Sequence, residues 1–318
     1  MNGRLQRVIS LLRWLGGGGL AGWLWWRGST SGAVAVLLLV LAGSPLLLLP
    51  GFLWLTRQAA EPGLPRPRLR EALRAWWLET WAVLRIFGWL QPWREQAQPD
   101  HLPAPEPGRA LPRGVLLLHG YTCNRGLWHD WMVELRAQGR PFIALTLEPA
   151  FGSIDAYAPA IDAAMQRLQA LSGRPPLIVG HSMGGLAARA WWRHTGHDPA
   201  RLWRLITLGS PHQGSLLARW GLGTNGRQMR RHSDWLRALA AAEPPLLRER
   251  MHCLFGHCDQ IVLPAGSGRY PGAPATHVAA TGHLQLIFAP QSRAAMRALM
   301  AAEAGDEGPH PKAALAGP

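Results

Sequence analysis

Val179-Gly180-His181-Ser182-Met183-Gly184-Gly185 decides how this chain folds. It is a G-x-S-x-G segment set between a short apolar run, residues 177–179, and a helical stretch, residues 184–194. A serine placed in a tight strand-to-helix turn needs small residues two positions away on either side, because larger side chains would collide. The turn lifts the hydroxyl above the sheet edge and starts a helix beneath it. A bare G-x-S-x-G arises by chance. One bracketed by a buried strand and a helix is specific, and it marks Ser182 as a nucleophile.

Similar apolar runs, suited to buried parallel strands, recur at residues 115–118, 142–147, 205–208, 253–255 and 277–280. Helical stretches at 127–138, 154–171 and 228–242 separate most of the runs. Such alternation predicts an α/β fold, a mainly parallel sheet of about six strands covered on both faces. The functional site then belongs at the carboxyl ends of the strands. Residues 213–250, between the fourth and fifth strands, read as a small helical cap. Its Leu216, Trp220, Met229, Trp235, Leu236 and Leu247 suit either an acyl pocket or the insert's own core.

A nucleophile of this kind is followed along the chain by an acid and then a histidine. Asp198 comes just after the nucleophile helix, and Asp234, Glu243 and Glu249 fall in the insert. Only Asp259 directly follows an apolar strand, in Phe255-Gly256-His257-Cys258-Asp259. Of the late histidines, His310 is in the tail and His277 begins the last strand. His283 follows that strand in Thr281-Gly282-His283-Leu284. The predicted catalytic set is therefore Ser182, Asp259 and His283. Its oxyanion donors are the backbone N–H of Met183, after the nucleophile, and of Tyr121, after Leu118-His119-Gly120. His119 reads as support for that loop. His252, Cys253, His257 and Cys258 do not have the spacing of a zinc site, and no metal or cofactor is expected. Three cysteines, an odd number, do not make a disulfide framework.

The 318 residues are 48% hydrophobic and only 16% charged, which excludes disorder for the bulk of the chain. The net charge of +14 is spread along the length with no basic stripe or recognisable module, so no nucleic-acid partner is expected. The amino-terminal third has a different composition. Of 17 Trp, ten precede residue 94: Trp14, Trp23, Trp25, Trp26, Trp54, Trp76, Trp77, Trp81, Trp89 and Trp93. Residues 33–55 carry no charge and are long enough to span a bilayer, whereas a signal peptide has a shorter apolar core. Residues 8–26 form a second, weaker span. Residues 1–60 are thus expected to be a membrane anchor of one or two helices. Arg4, Arg7 and Arg13 before the hairpin and Arg57, Arg66 and Arg68 after it favour a cytoplasmic catalytic domain at a bacterial inner membrane. Residues 69–90 read as an amphipathic helix that either lies in the interface or packs on the catalytic domain, with residues 91–112 as a Pro-rich linker. The division is 1–60 anchor, 61–112 helix and linker, 113–303 catalytic domain, and 304–318 disordered tail.

Three segments together resemble the bacterial lipase and esterase branch of the α/β-hydrolase superfamily: His119–Tyr121, Gly180–Gly185, and Thr207-Leu208-Gly209-Ser210-Pro211-His212-Gln213-Gly214. The resemblance runs from about residue 114 to 288. It implies an α/β-hydrolase fold and a serine hydrolase cleaving apolar or lipid carboxylic esters through an acyl-enzyme. An acyltransferase or thioesterase would share that intermediate, and a non-catalytic membrane scaffold would share the fold. The amino-terminal segment has no counterpart in this pattern. With every proposed catalytic residue after position 113, a chain starting near residue 105 is expected to keep short-ester activity.

Overall fold

The computed structural model describes residues 2–58, 61–104 and 110–302. Its centre is a six-stranded, wholly parallel sheet in the order β2-β1-β3-β4-β5-β6. The strands are β1 (Val115–Leu118), β2 (Phe142–Leu145), β3 (Leu177–His181), β4 (Arg204–Leu208), β5 (Met251–Phe255) and β6 (Ala275–His277). Every residue of β1 and β3 is buried, as strands covered on both faces require. Side chains alternate between two cores. Leu116, Leu118 and Ile178 pack with Ile161, Leu168 and Leu186 on one face. Val115, Leu117 and Val179 pack with Trp131, Leu135 and Met296 on the other. The chain leaves β1 for β2 on one side and returns to β3 on the opposite side. That switch in strand order opens a crevice at the carboxyl ends of β1 and β3, where Gly120 and Ser182 lie.

The helices are α1 (Asn2–Trp26), α2 (Thr30–Leu55), α3 (Leu69–Arg85), α4 (Gln91–Trp93), α5 (His129–Ala137), α6 (Ala158–Ser172), α7 (Met183–His194), α8 (Gly223–Gln228), α9 (Asp234–Ala242), α10 (Leu246–Arg250) and α11 (Pro290–Ala302). The predicted strand at 142–147 stops at Leu145, and the Leu147 N–H turns instead to His119 Nε2. The last strand begins at Ala275, earlier than expected. Ala280, at φ 49°, has already left extended geometry. The cap comprises α8, α9 and α10. The predicted tail, 304–318, lies outside the described residues.

α1 and α2 form a hairpin joined at Arg27–Ser29, with Gly17 packed on Val40 where a β-carbon would collide. Among the described residues no single helix is long and apolar enough to cross a membrane. Thr30–Val40 and Pro45–Leu55, bent 56° from each other, pass that test only as a pair. Pro45 lacks the N–H that would continue the helix, which accounts for the bend. Trp76 on α3 donates to the Pro45 carbonyl at 2.8 Å. Both hairpin ends reach the catalytic domain. Gln6 donates to the Thr122 carbonyl at 2.8 Å, and Phe52 and Leu55 are buried with Ala72, Ala75, Cys258 and Leu263.

α3 packs on the domain, but its small residues form the buried face. Ala72, Ala75, Glu79, Thr80 and Ala82 are buried, while Leu69, Leu73, Trp77, Trp81 and Leu84 point outward. The linker reading of 91–112 is corrected for residues 91–104; residues 105–109 lie outside the described residues. Gln91 is wholly buried and accepts the Asn124 N–H at 2.9 Å, His101 pairs with Phe142 beside β2, and Asp100 binds Arg125 at 2.7 Å. Turn-forming prolines in the sequence do not reveal that a segment's polar groups are held by a neighbouring domain.

Candidate active site

Ser182 sits between β3 and α7 at φ 54°, ψ −123°, a region costly for any residue with a β-carbon. The surrounding glycines let this turn close. A β-carbon on Gly180 would fall 2.6 Å from the Gly185 nitrogen. One on Gly184 would fall within van der Waals overlap of the Leu118 carbonyl, and one on Gly120 would be 2.9 Å from Ser182 Cβ. The Ser182 N–H is fixed on the Leu208 carbonyl at 2.9 Å. Ser182 is itself buried.

The structure brings Asp259 and His283 together, with Asp259 Oδ2 2.7 Å from His283 Nδ1 and both residues buried. Asp259 Oδ1 accepts the N–H groups of Ile261 at 2.8 Å and Val262 at 2.9 Å, so one oxygen is pinned by the turn and the other aims at the ring. Burial alone lowers the His283 pKa, but the charge of Asp259 and its hydrogen bond outweigh this, and the net shift is upward. His283 lies beside His181, ring centres 4.7 Å apart and planes tilted by 52°, and so stands next to the residue preceding Ser182. Among the described residues no hydrogen bond joins Ser182 Oγ to His283; such contacts are often long in resting sites and tighten with substrate. The rival acids lie elsewhere. Asp234 is exposed and paired with Arg237, and Asp198 accepts from the Ala200 N–H.

Tyr121 and Met183 flank Ser182, Tyr121 on the loop after β1 and Met183 as the first residue of α7. His119 holds that loop. Its Nδ1 bonds the Gly120 carbonyl at 2.8 Å and its Nε2 accepts from the Leu147 N–H, while burial pushes its pKa down to about 4. It is therefore neutral and already committed on both nitrogens. His257 and His277 bond each other at 2.8 Å, and His252 bonds Thr276. Among the described residues no group of three or more His, Cys, Asp or Glu side chains could hold a metal ion.

A sequence profile described as the Alpha/beta hydrolase family matches residues 115–314. The chain belongs to that family. No curated protein matches it in sequence. Among solved structures, this hydrolase is similar to Bacillus licheniformis lipase BlEst2 in its mature form. That match has a TM-score of 0.54 and 17% identity over 63% of this chain and 96% of the other. The propeptide form of the same lipase gives a TM-score of 0.51 and 17% identity, over 62% of this chain and 52% of that one. At such identities the likeness concerns the fold.

Several parts of the hydrolase site were not legible in the sequence. Gly209, at φ 57°, lies where a β-carbon would be 3.2 Å from both Asp259 Oδ2 and His283 Nδ1, so the Gly of Thr207–Gly214 makes room for the Asp259–His283 contact. Arg189 on α7 and Glu243 in the cap form a fully buried two-point ion pair, 2.7 and 2.8 Å. Tyr270 adds a hydroxyl to Glu243 at 2.9 Å, and Arg189 also bonds the His212 carbonyl. The Tyr121 hydroxyl both donates to and accepts from the backbone of Leu222, at 2.9 Å each, so the loop after β1 and the cap are tied.

Of the two readings open for the cap side chains, four residues take the core rather than an acyl pocket. Met229, Leu236 and Leu247 are buried in the main core, and Trp235 is held by Asp155 at 2.7 Å. A largely apolar cleft of about 390 Å³ lies instead beside Thr122 and Phe151, walled by Leu5 and Ile9 of α1 and by Val83, Leu84 and Phe87. Its size falls in the range of small-molecule sites, about 300–1,000 Å³.

Proposed function

We propose that this α/β hydrolase is a membrane-anchored serine hydrolase that cleaves carboxylic esters of apolar or lipid substrates through an acyl-enzyme. The reading rests above all on the buried Asp259–His283 contact at 2.7 Å, at the same sheet edge as the strained Ser182 turn. His283 Nε2 takes the proton of Ser182 Oγ as the oxygen attacks the ester carbonyl carbon. The resulting oxyanion is met by the N–H groups of Tyr121 and Met183, which make no hydrogen bond among the described residues. The bond to the leaving alcohol breaks, and His283 returns the proton to that oxygen. Water then repeats the sequence, releasing the acid and restoring the Ser182 hydroxyl. Asp259 keeps His283 in the tautomer with Nε2 free to accept.

The choice of apolar substrates rests on the lipase-like segments at His119–Tyr121 and Thr207–Gly214; the apolar cleft beside Thr122, the residue after Tyr121, agrees with it but touches none of Ser182, Asp259 or His283. Membrane anchoring is supported by composition and surface. Large apolar side chains are left exposed mostly before residue 94. Beyond it they are Val133, Leu216, Trp220, Leu222 and Ile261 among the described residues, three of these in the cap. Both ends of the α1–α2 hairpin meet the catalytic domain, which agrees with the arginine bias on either side of it. A fluorophosphonate label tests the nucleophile. It is expected to modify wild-type protein and not Ser182→Ala, and a panel of short and long acyl esters should be hydrolysed by the first alone. Labelling of the Ser182→Ala variant would overturn the assignment.

A further inference from the structure

α3 lies well before the catalytic domain in sequence, yet it grips the loop that carries His283 at three points. Arg74 donates to the Ala280 carbonyl at 3.2 Å, Trp81 meets Phe288 edge-on at 5.4 Å, and Glu79 lies between them. Glu79 is 1% exposed. Its Oε1 accepts the Leu284 N–H at 2.9 Å and its Oε2 the Gln285 N–H at 3.0 Å. The Gln260 amide stands 3.5 Å from Oε1. Leu284 and Gln285 open the short 3₁₀ turn directly after His283, so a carboxylate from another segment caps that turn. Gly282 is part of the same arrangement. A β-carbon there would fall 2.6 Å from Glu79 Oε2 and 3.0 Å from its carboxyl carbon. The glycine before the histidine therefore leaves space for this carboxylate.

We propose that Glu79 is a positioning residue for the catalytic base: its carboxylate fixes the backbone on which His283 stands and places a second buried negative charge behind the Asp259–His283 pair, so the amino-terminal helix completes the active site. The proposal rests on the serine hydrolase reading above. An uncharged or poorly hydrogen-bonded group would be sufficient for packing alone; a buried carboxylate is costly unless its bonds and field are used. On balance the Glu79 pKa is raised: burial pushes it up and the charge of Asp259 adds to the rise, against the Leu284 N–H, the charge of His283 and the Gln285 N–H, which favour the carboxylate. The titratable groups facing His283 are Asp259, Glu79 and His181. Beyond the opposition between burial and Asp259 already described, Glu79 raises the His283 pKa further. His181, itself held well below its usual pKa by burial, is neutral.

The test uses full-length protein in detergent, with wild type compared to Glu79→Gln and Gly282→Ala. Glu79→Gln keeps the volume and one accepting oxygen but removes the charge. Gly282→Ala displaces the carboxylate without removing it. Two readouts are taken: kcat and KM on p-nitrophenyl butyrate across pH, and the rate of labelling by a fluorophosphonate, which needs no particular substrate. Both variants are expected to lose on the order of ten- to a hundredfold in kcat and in labelling rate, with KM unchanged. In Glu79→Gln the acid limb of kcat/KM should also move to lower pH, because His283 loses a negative neighbour. A Glu79→Gln variant with wild-type kcat and an unmoved acid limb would overturn the proposal, whatever its thermal stability. Wild-type protein that neither hydrolyses the ester nor takes the label would instead overturn the serine hydrolase reading, and this inference with it.

Discussion

Asp259→Asn separates a carboxylate that orients His283 from one that merely fills space. In the wild type, Oδ1 is held by two backbone N–H groups, of Ile261 and Val262, and Oδ2 faces His283 Nδ1. An asparagine has one accepting oxygen. The two fixed donors will claim it, which turns the NH₂ group toward the ring. His283 must then accept at Nδ1, so its proton moves to Nε2, the atom that has to take the Ser182 proton. The variant thus places the wrong tautomer at the nucleophile and also removes the counter-charge that stabilises the imidazolium. The expected loss in kcat is on the order of 10⁴-fold, about 5 kcal/mol of barrier. Asp259→Ala leaves the tautomer free and should be no worse than the asparagine variant. The assay is kcat and KM on a short soluble ester with full-length protein, normalised to the fraction that takes a fluorophosphonate label. Asparagine activity within tenfold of wild type would refute this reasoning, and so would an alanine variant far below the asparagine one.

The raised pKa of His283 sets the direction of the pH profile. The base works only when neutral, so kcat/KM should begin to fall on acidification at a pH above 6.5, an effect read from a rate–pH profile. His119 gives an opposite signature in stability. Its folded pKa of about 4 lies below its unfolded value, so the unfolded chain binds the extra proton, and about 3 kcal/mol should be lost as the pH falls from 6.5 to 4. Thermal melts across that window, with a shallower loss in His119→Asn, would check it. Glu243→Gln should destabilise the fold by about 3–5 kcal/mol, because it strands the buried Arg189 charge; denaturant titration measures this. The expectation that a chain starting near residue 105 keeps short-ester activity is reversed by the contacts of α3: removing residues 1–104 should abolish even that hydrolysis. That chain would lose Glu79 and the buried contacts of Ala82 and Ile86, and retained activity on p-nitrophenyl butyrate would refute the dependence.

The local requirements of the nucleophile turn were legible in the sequence. Gly180, Ser182 and Gly184 are set by contacts a few residues apart, and the flanking strand and helix follow from short-range apolar patterning. That Asp259 and His283 meet was reachable by elimination, because each directly follows an apolar run and the sheet puts strand ends at one edge. Tertiary structure decided what depends on distant partners. Gly209 reads as a turn glycine until Asp259 and His283 arrive beside it. Glu243 looks like an exposed cap acid until Arg189 is buried against it. The sequence leaves α3 open between an interface helix and one packed on the domain; the structure buries its alanines against the domain, turns its leucines and tryptophans outward, and gives its one buried carboxylate backbone donors some 205 residues away. Periodicity reports which residues share a face. Which face is covered, and by what, is fixed only when segments far apart in the chain compete for the same surface.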